Sequence, residues 1–281
     1  MASHPPARCC TLGTLHEGEP KGKIIKIDNT IEAYVATPAE KTARKDVGIL
    51  YLPDVISIWQ NSKLMADSFA ERGYLTVVID LFNGDPVSLN PPKGFDFGKW
   101  LAHGSSGDNP HTKETIDPIV VKAIQALREM GVKHIGAVGY CFGAKVRLLA
   151  TPSPPPSLRG SSKKSAMLTA TESWQYVVRH YKDGIEVGYA AHPSFVDEDE
   201  LAAITGPFAI SAAETDSIFP ADKRHKSEEI LAKTGQPYQI NLFSATEHGF
   251  AVRGDLSKKQ QKFAKEQAFL QAVTWFDTYL G

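Results

Sequence analysis

Apolar residues follow two rhythms along the chain, short unbroken runs and helical spacings of three and four. Val47-Gly48-Ile49-Leu50-Tyr51-Leu52 and Leu75-Thr76-Val77-Val78-Ile79 are continuous runs of the kind found in strands buried on both faces. Between them Leu64, Met65 and Phe69 share one helical face, and Gly73 stops that helix. Ile116, Val120, Ile124 and Leu127 repeat the helical spacing up to Gly131, and His134-Ile135-Gly136-Ala137-Val138 follows as a short buried strand. Upstream, two extended runs, Lys23 to Ile27 and Ile31 to Ala36, meet at Asp28-Asn29-Thr30 and read as a hairpin. Downstream, residues 185–191, 208–212 and 238–243 read as strands, and a final helix carries Phe263, Leu270, Val273 and Phe276. A hairpin followed by alternating strands and helices predicts the α/β class, with a mainly parallel sheet of about eight strands wrapped by helices.

Composition narrows the function classes. With 281 residues and 42% hydrophobic composition the chain is long enough for one α/β domain with a sizeable core. A net charge of −1 gives no field that recruits nucleic acid or an anionic membrane. No apolar run approaches the roughly 20 residues of a membrane span, and Met1-Ala2-Ser3-His4-Pro5-Pro6 lacks signal-peptide character. The nine histidines show no HExxH or comparable ligand spacing, so neither a metal nor any other cofactor is expected. Three cysteines are too few for a disulfide framework and point to a reducing, cytoplasmic setting. Cys9-Cys10 lies in what reads as an N-terminal tail, residues 1–21, where an incidental surface pair is the expectation and a redox or metal role the alternative. A monomer or homodimer is expected.

In a parallel sheet the site lies at the carboxyl ends of the strands. The third strand ends at Pro53-Asp54-Val55, the fifth at Gly139-Tyr140-Cys141-Phe142-Gly143, the seventh at Glu214-Thr215-Asp216 and the eighth at Glu247-His248-Gly249-Phe250. The fifth matches a nucleophile elbow, Gly-x-nucleophile-x-Gly, with cysteine in place of serine. Each residue has a bland reading alone: an inert core thiol, a turn-capping aspartate, a solvated loop histidine. Together they follow the chain order nucleophile, acid, histidine of the α/β-hydrolases. An imidazole beside a thiol can take its proton, and a carboxylate behind the imidazole fixes its tautomer. The backbone N–H groups of Phe142 and Val55 are the expected oxyanion donors.

These motifs resemble the dienelactone hydrolase family, cysteine-based members of the α/β-hydrolases. The resemblance rests on the cysteine elbow, on Asp216 with Pro220, on His248-Gly249-Phe250, on residues 75–85 and on Leu52-Pro53-Asp54-Val55. It runs from Gly22 to the C-terminus with one interruption, and Tyr189-Ala190-Ala191-His192-Pro193-Ser194-Phe195 is similar to the fungal branch. It implies a triad of Cys141, Asp216 and His248 acting on a small lactone or ester. Asp54 stands where bacterial members have a glutamate that interacts with the resting cysteine. Arg253 falls one position beyond an arginine that binds the substrate carboxylate in those members. Tyr140, His192 and Phe250 complete the expected substrate contacts, with a satisfied structural histidine as the alternative for His192. Against a cysteine hydrolase stands a non-catalytic small-ligand-binding member of the same fold. A thiol redox role ranks third, because no second cysteine lies near Cys141 in sequence.

One stretch breaks the expected domain, residues 22–281. An elbow should launch a helix at once, yet residues 146–175 bring in prolines 152, 154, 155 and 156 and a run of serine, glycine and lysine, a composition expected to be disordered. A long loop acting as a lid is one reading. Joining Lys145 to Tyr176 instead restores an uninterrupted elbow, helix and strand, CFGAKYVVRHYKDGIEVGYAAHPSF. The stretch begins with a valine, coded GTN, and ends with a glutamine that CAG can encode, which are intron boundary nucleotides. We therefore expect 146–175 to be a retained intron. Transcript sequencing should show a dominant mRNA lacking it, and a dominant mRNA that keeps it rejects this reading.

Overall fold

A computed structural model describes residues 1–144 and 184–281; the stretch 146–175 lies outside the described residues. The hairpin forms as β1 (Lys23–Ile27) and β2 (Ile31–Ala36), followed by β3 (Val47–Leu52), α1 (Gln60–Glu71) and β4 (Leu75–Ile79). Then come α2 (Phe97–His103), α3 (Lys113–Glu129), β5 (His134–Tyr140), β6 (Ile185–Ala191), α4 (Glu198–Ala202) and β7 (Phe208–Thr215). The chain closes with α5 (Ala221–Thr234), β8 (Tyr238–Glu247), α6 (Phe250–Arg253) and α7 (Lys259–Tyr279).

One sheet of order β1-β2-β4-β3-β5-β6-β7-β8 results, antiparallel through the β1–β2 and β2–β4 pairs and parallel elsewhere. This is the α/β-hydrolase fold, as the element order predicts. The central strands carry the unbroken apolar runs because helices cover both faces. Every residue of β3 is buried. On one face Leu50, Val77 and Ile135 pack with Ile116, Val120, Ile124 and Leu127 of α3. On the other, Ile49, Val78 and Val138 pack with Met65 and Phe69 of α1 and Phe276 of α7.

Two features were not given by the sequence pattern. In α7, Val273 and Phe276 are buried but Phe263 and Leu270 are exposed; Ala264, Ala268, Ala272 and Trp275 complete the inward stripe. Small alanines let this long helix lie close against the sheet, so its hydrophobic contrast is low and the large apolar residues mislead. The second is at the start of the chain. Residues 1–21 are no loose tail: Ala2, Ser3, Cys10 and Thr11 are fully buried. Backbone bonds run from Ser3 N to Val196 O at 2.9 Å, His4 N to Ile218 O at 2.7 Å, Asn90 N to Thr11 O at 2.9 Å and Thr14 N to Arg253 O at 3.0 Å. The segment is a strap across the carboxyl ends of the strands, held mostly by single bonds to loops rather than by a ladder, and so it leaves no periodic signature. No described helix is long and apolar enough to cross a membrane.

Candidate active site

The parallel registers bring the ends of β3, β5, β6, β7 and β8 to one edge, where Tyr51 pairs with Val138, Tyr140 with Ala191, and Thr215 with Glu247. At that edge Cys141 has φ 53°, the left-handed backbone of a sharp strand-to-helix turn. A neighbouring turn supports it: the Cys141 carbonyl accepts the Ser194 N–H at 3.1 Å. Gly143 is required by close approach, since a Cβ there would sit 2.1 Å from the Leu52 carbonyl oxygen. The elbow and the β3 loop are therefore in contact, which brings Phe142 and Val55 into neighbouring backbone. The Phe142 ring anchors the elbow against Phe82 and Phe195, with centroids at 5.2 and 6.3 Å. Asp80 then ties the loops after β3 and β4, accepting from Ser57 Oγ at 2.7 Å and Phe82 N at 3.0 Å.

His248 reaches the cysteine from the end of β8. Its Nε2 lies 3.2 Å from Cys141 Sγ, and its Nδ1 lies 2.9 and 3.0 Å from the two carboxylate oxygens of Asp216. Asp216 Oδ1 also accepts the N–H groups of Ile218 and Phe219 at 2.8 and 3.0 Å. Gly249, with φ 94°, turns the chain immediately after His248 and into α6. The three side chains expected from sequence thus meet in one line.

The electrostatics favour a charged pair. Burial pushes the Cys141 thiol up, but the Cys10 thiol, the His248 charge and His192 outweigh it and hold the group well below the usual thiol value. Burial acts to lower His248, yet Asp216 and Cys141 push it up to about 10. Asp216 is likewise lowered: burial raises it, and the His248 charge and the N–H donors prevail. Both shifts run in the direction of a Cys141 thiolate beside a His248 imidazolium.

The other expected contacts divide. Asp54 and Arg253 are both buried and pair with each other, and Asp54 Oδ1 also accepts the Ile56 N–H at 3.1 Å. Burial raises Asp54 to about 6 against the pull of Arg253. Arg253 also donates from Nε to Leu12 O at 3.2 Å and from its terminal nitrogen to Cys9 O at 3.4 Å, so its guanidinium fastens the strap. Tyr140 belongs to an aromatic layer with Tyr51 and Tyr189, at centroid distances of 4.9 and 6.3 Å. Phe250 lines a cavity of about 240 Å³ whose wall includes Leu12, Gly13, His248 and Arg253. His192 is fully buried at the end of β6, its ring 5.0 Å from that of His248, and neither ring nitrogen has a hydrogen-bond partner among the described residues. The ring does act on the Cys141 thiol, which it helps to lower. Burial lowers His192 to about 4, so the ring is neutral at pH 7.

Cys10 was not expected here. Rather than an incidental surface residue, it is fully buried with Sγ 3.4 Å from His248 Nε2. Cys10 Sγ, Cys141 Sγ and His248 all offer ligand atoms within 4.8 Å of one another, a set that a soft cation could use. Sequence spacing cannot reveal such a group when one member sits at the far end of the chain.

Fold and elbow together define an α/β-hydrolase with cysteine at the nucleophile position. Residues 31–162 and 171–280 match the model of the dienelactone hydrolase family, and the chain belongs to that family. Hydrolase tropI of Talaromyces stipitatus is 44% identical, with 100% of this chain and 99% of that protein covered. Dienlactone hydrolase 1 of Gibberella moniliformis is 32% identical over 100% and 97%. Among solved structures, dienelactone hydrolase from Anabaena variabilis superposes with a TM-score of 0.58 at 11% identity, over 95% of this chain and 100% of that one.

The charged pair has a direct readout. The ultraviolet absorbance of wild type minus Cys141→Ser should show a thiolate already present at pH 7, lost only as acid protonates it. A difference signal that first grows in near pH ~8.5, the value of a free thiol, contradicts it.

Proposed function

We propose that the protein is a cysteine-dependent hydrolase of a small lactone, ester or thioester. The carrying observation is His248, with Nε2 3.2 Å from Cys141 Sγ and Nδ1 2.9 Å from Asp216. In this reading the Cys141 thiolate attacks the carbonyl carbon, and the tetrahedral oxyanion is met by the N–H groups of Phe142 and Val55. His248 gives its Nε2 proton to the leaving oxygen or sulfur, leaving an acyl-thioester on Cys141. Water then attacks the thioester with His248 as base, and Asp216 keeps the imidazole oriented through both steps.

The cavity of about 240 Å³ reaches His248, Phe250 and Arg253 but stops short of the buried Cys141, so a small substrate entering there must displace the strap to meet the sulfur. Phe250 supplies an apolar wall. His192, neutral and acting on the Cys141 thiol, can offer a ring nitrogen to a substrate polar group. Asp54 and Arg253 pair with each other and help hold the site together, and Arg253 also lines the cavity. Cys10 occupies the space beside His248 Nε2, so the strap shifts when an acyl group reaches Cys141.

Cys141→Ala should abolish turnover of p-nitrophenyl esters and enol lactones, a loss of at least about 10³-fold given what removing a nucleophile costs. Variant and wild type with equal rates across such a panel would falsify the proposal. Tight binding of a small ligand without turnover by either protein would favour the non-catalytic reading.

A further inference from the structure

Two buried thiols flank one imidazole, and hydrolysis uses only one of them. Cys141 Sγ and Cys10 Sγ lie within 4.8 Å of each other, at 3.2 and 3.4 Å from His248 Nε2. Cys10 belongs to a strap that packs over the site through single hydrogen bonds, so a small movement can bring the sulfurs from this separation to the ~2.05 Å of a disulfide. The two thiols differ in setting. Cys141 stands on the strained elbow with His248 Nε2 3.2 Å away, while Cys10 sits on the movable strap. That is the division of labour between a peroxide-reactive cysteine and a partner that resolves its oxidised form. A metal at the same three atoms would compete with the proton that Asp216 and Cys141 hold on His248.

We propose that Cys10 and Cys141 form a reversible disulfide under hydroperoxide, which caps the nucleophile and pins the strap over the site.

The electrons and protons balance. The Cys141 thiolate attacks one oxygen of hydrogen peroxide; an S–O bond forms, the O–O bond breaks, and the hydroxide takes the His248 proton and leaves as water. Neutral His248 then accepts the Cys10 proton, and the Cys10 sulfur attacks the Cys141 sulfenic acid. The S–S bond forms, the S–O bond breaks, and the second hydroxide leaves as water with that proton. Two thiols give two electrons, one peroxide becomes two waters, and His248 ends neutral. Dithiothreitol or a cellular dithiol reverses the step by thiol–disulfide exchange. No ester chemistry is involved.

The test uses the full chain treated with a small excess of hydrogen peroxide over protein, alkylated, and digested with trypsin without reductant. Cleavage after Arg8, Lys21, Lys133 and Lys145 puts Cys10 in peptide 9–21 and Cys141 in peptide 134–145. The expected product is these two peptides joined, separable by dithiothreitol, and still formed in Cys9→Ser. In wild type, thiolate reactivity of Cys141 should fall with cross-linking and return on reduction. In Cys10→Ser no cross-link should form, and Cys141 should proceed to sulfinic acid that dithiothreitol does not restore. A wild-type map showing only sulfinic Cys141 or a Cys9–Cys10 disulfide overturns the proposal, as does equal recovery in Cys10→Ser. Because the map reads covalent bonds, it stands whether or not the protein hydrolyses esters, and it needs no folded variant to be decisive.

Discussion

The buried pair between Asp54 and Arg253 is the contact on which the site's arrangement depends. Asp54 follows β3, Arg253 ends α6 just beyond His248, and the Arg253 guanidinium also holds the carbonyls of Leu12 and Cys9 in the strap. One side chain therefore fixes the loop that carries Val55, the helix that follows His248, and the segment that places Cys10. Breaking a buried pair by removing one partner costs about 3–5 kcal/mol, because the remaining charge is left uncompensated. Here the same change would also release three segments that share no continuous backbone.

Around that anchor the chemistry is arranged as opposed charges. Cys141 occupies a backbone region that costs a non-glycine residue about 1–3 kcal/mol, and the contacts of Gly143 with Leu52 and of Cys141 with Ser194 hold it there. The Asp216 carboxylate stabilises the imidazolium, and the imidazolium stabilises the thiolate. One imidazolium stands between two anionic groups, and its attraction, with the Cys10 thiol, works against the burial that opposes an ionised cysteine. A thiolate kept ready for an acyl group is equally ready for an oxidant. The strap answers that hazard by bringing a second thiol to the same place.

Much of this was legible in the chain because it follows from local pattern. Unbroken apolar runs marked the central strands, spacings of three and four marked α1 and α3, and strand order placed Cys141, Asp216 and His248 at one edge before any coordinates. The fungal-type motifs pointed to the family to which the chain belongs. What stayed hidden depends on contacts between distant segments without periodicity. Alanines on α7 do not look like an interface, and of the four large apolar residues on that helix Phe263 and Leu270 are exposed. Cys10 looked incidental because nothing in its neighbours signals burial. Asp54 and Arg253 each looked like a substrate contact, and only their mutual distance shows that they satisfy each other. The vicinal cysteines were the one written clue to the strap, and their meaning needed the third dimension.

The central claim is that Cys141 carries the acyl group during turnover. Rapid acid quenching of the protein during hydrolysis of a p-nitrophenyl ester, followed by peptide mass mapping, tests it directly. The account predicts an acyl mass on Cys141 in peptide 134–145 that decays as free acid appears. Turnover with the acyl mass on another residue, or with none on Cys141 at any time, would contradict it.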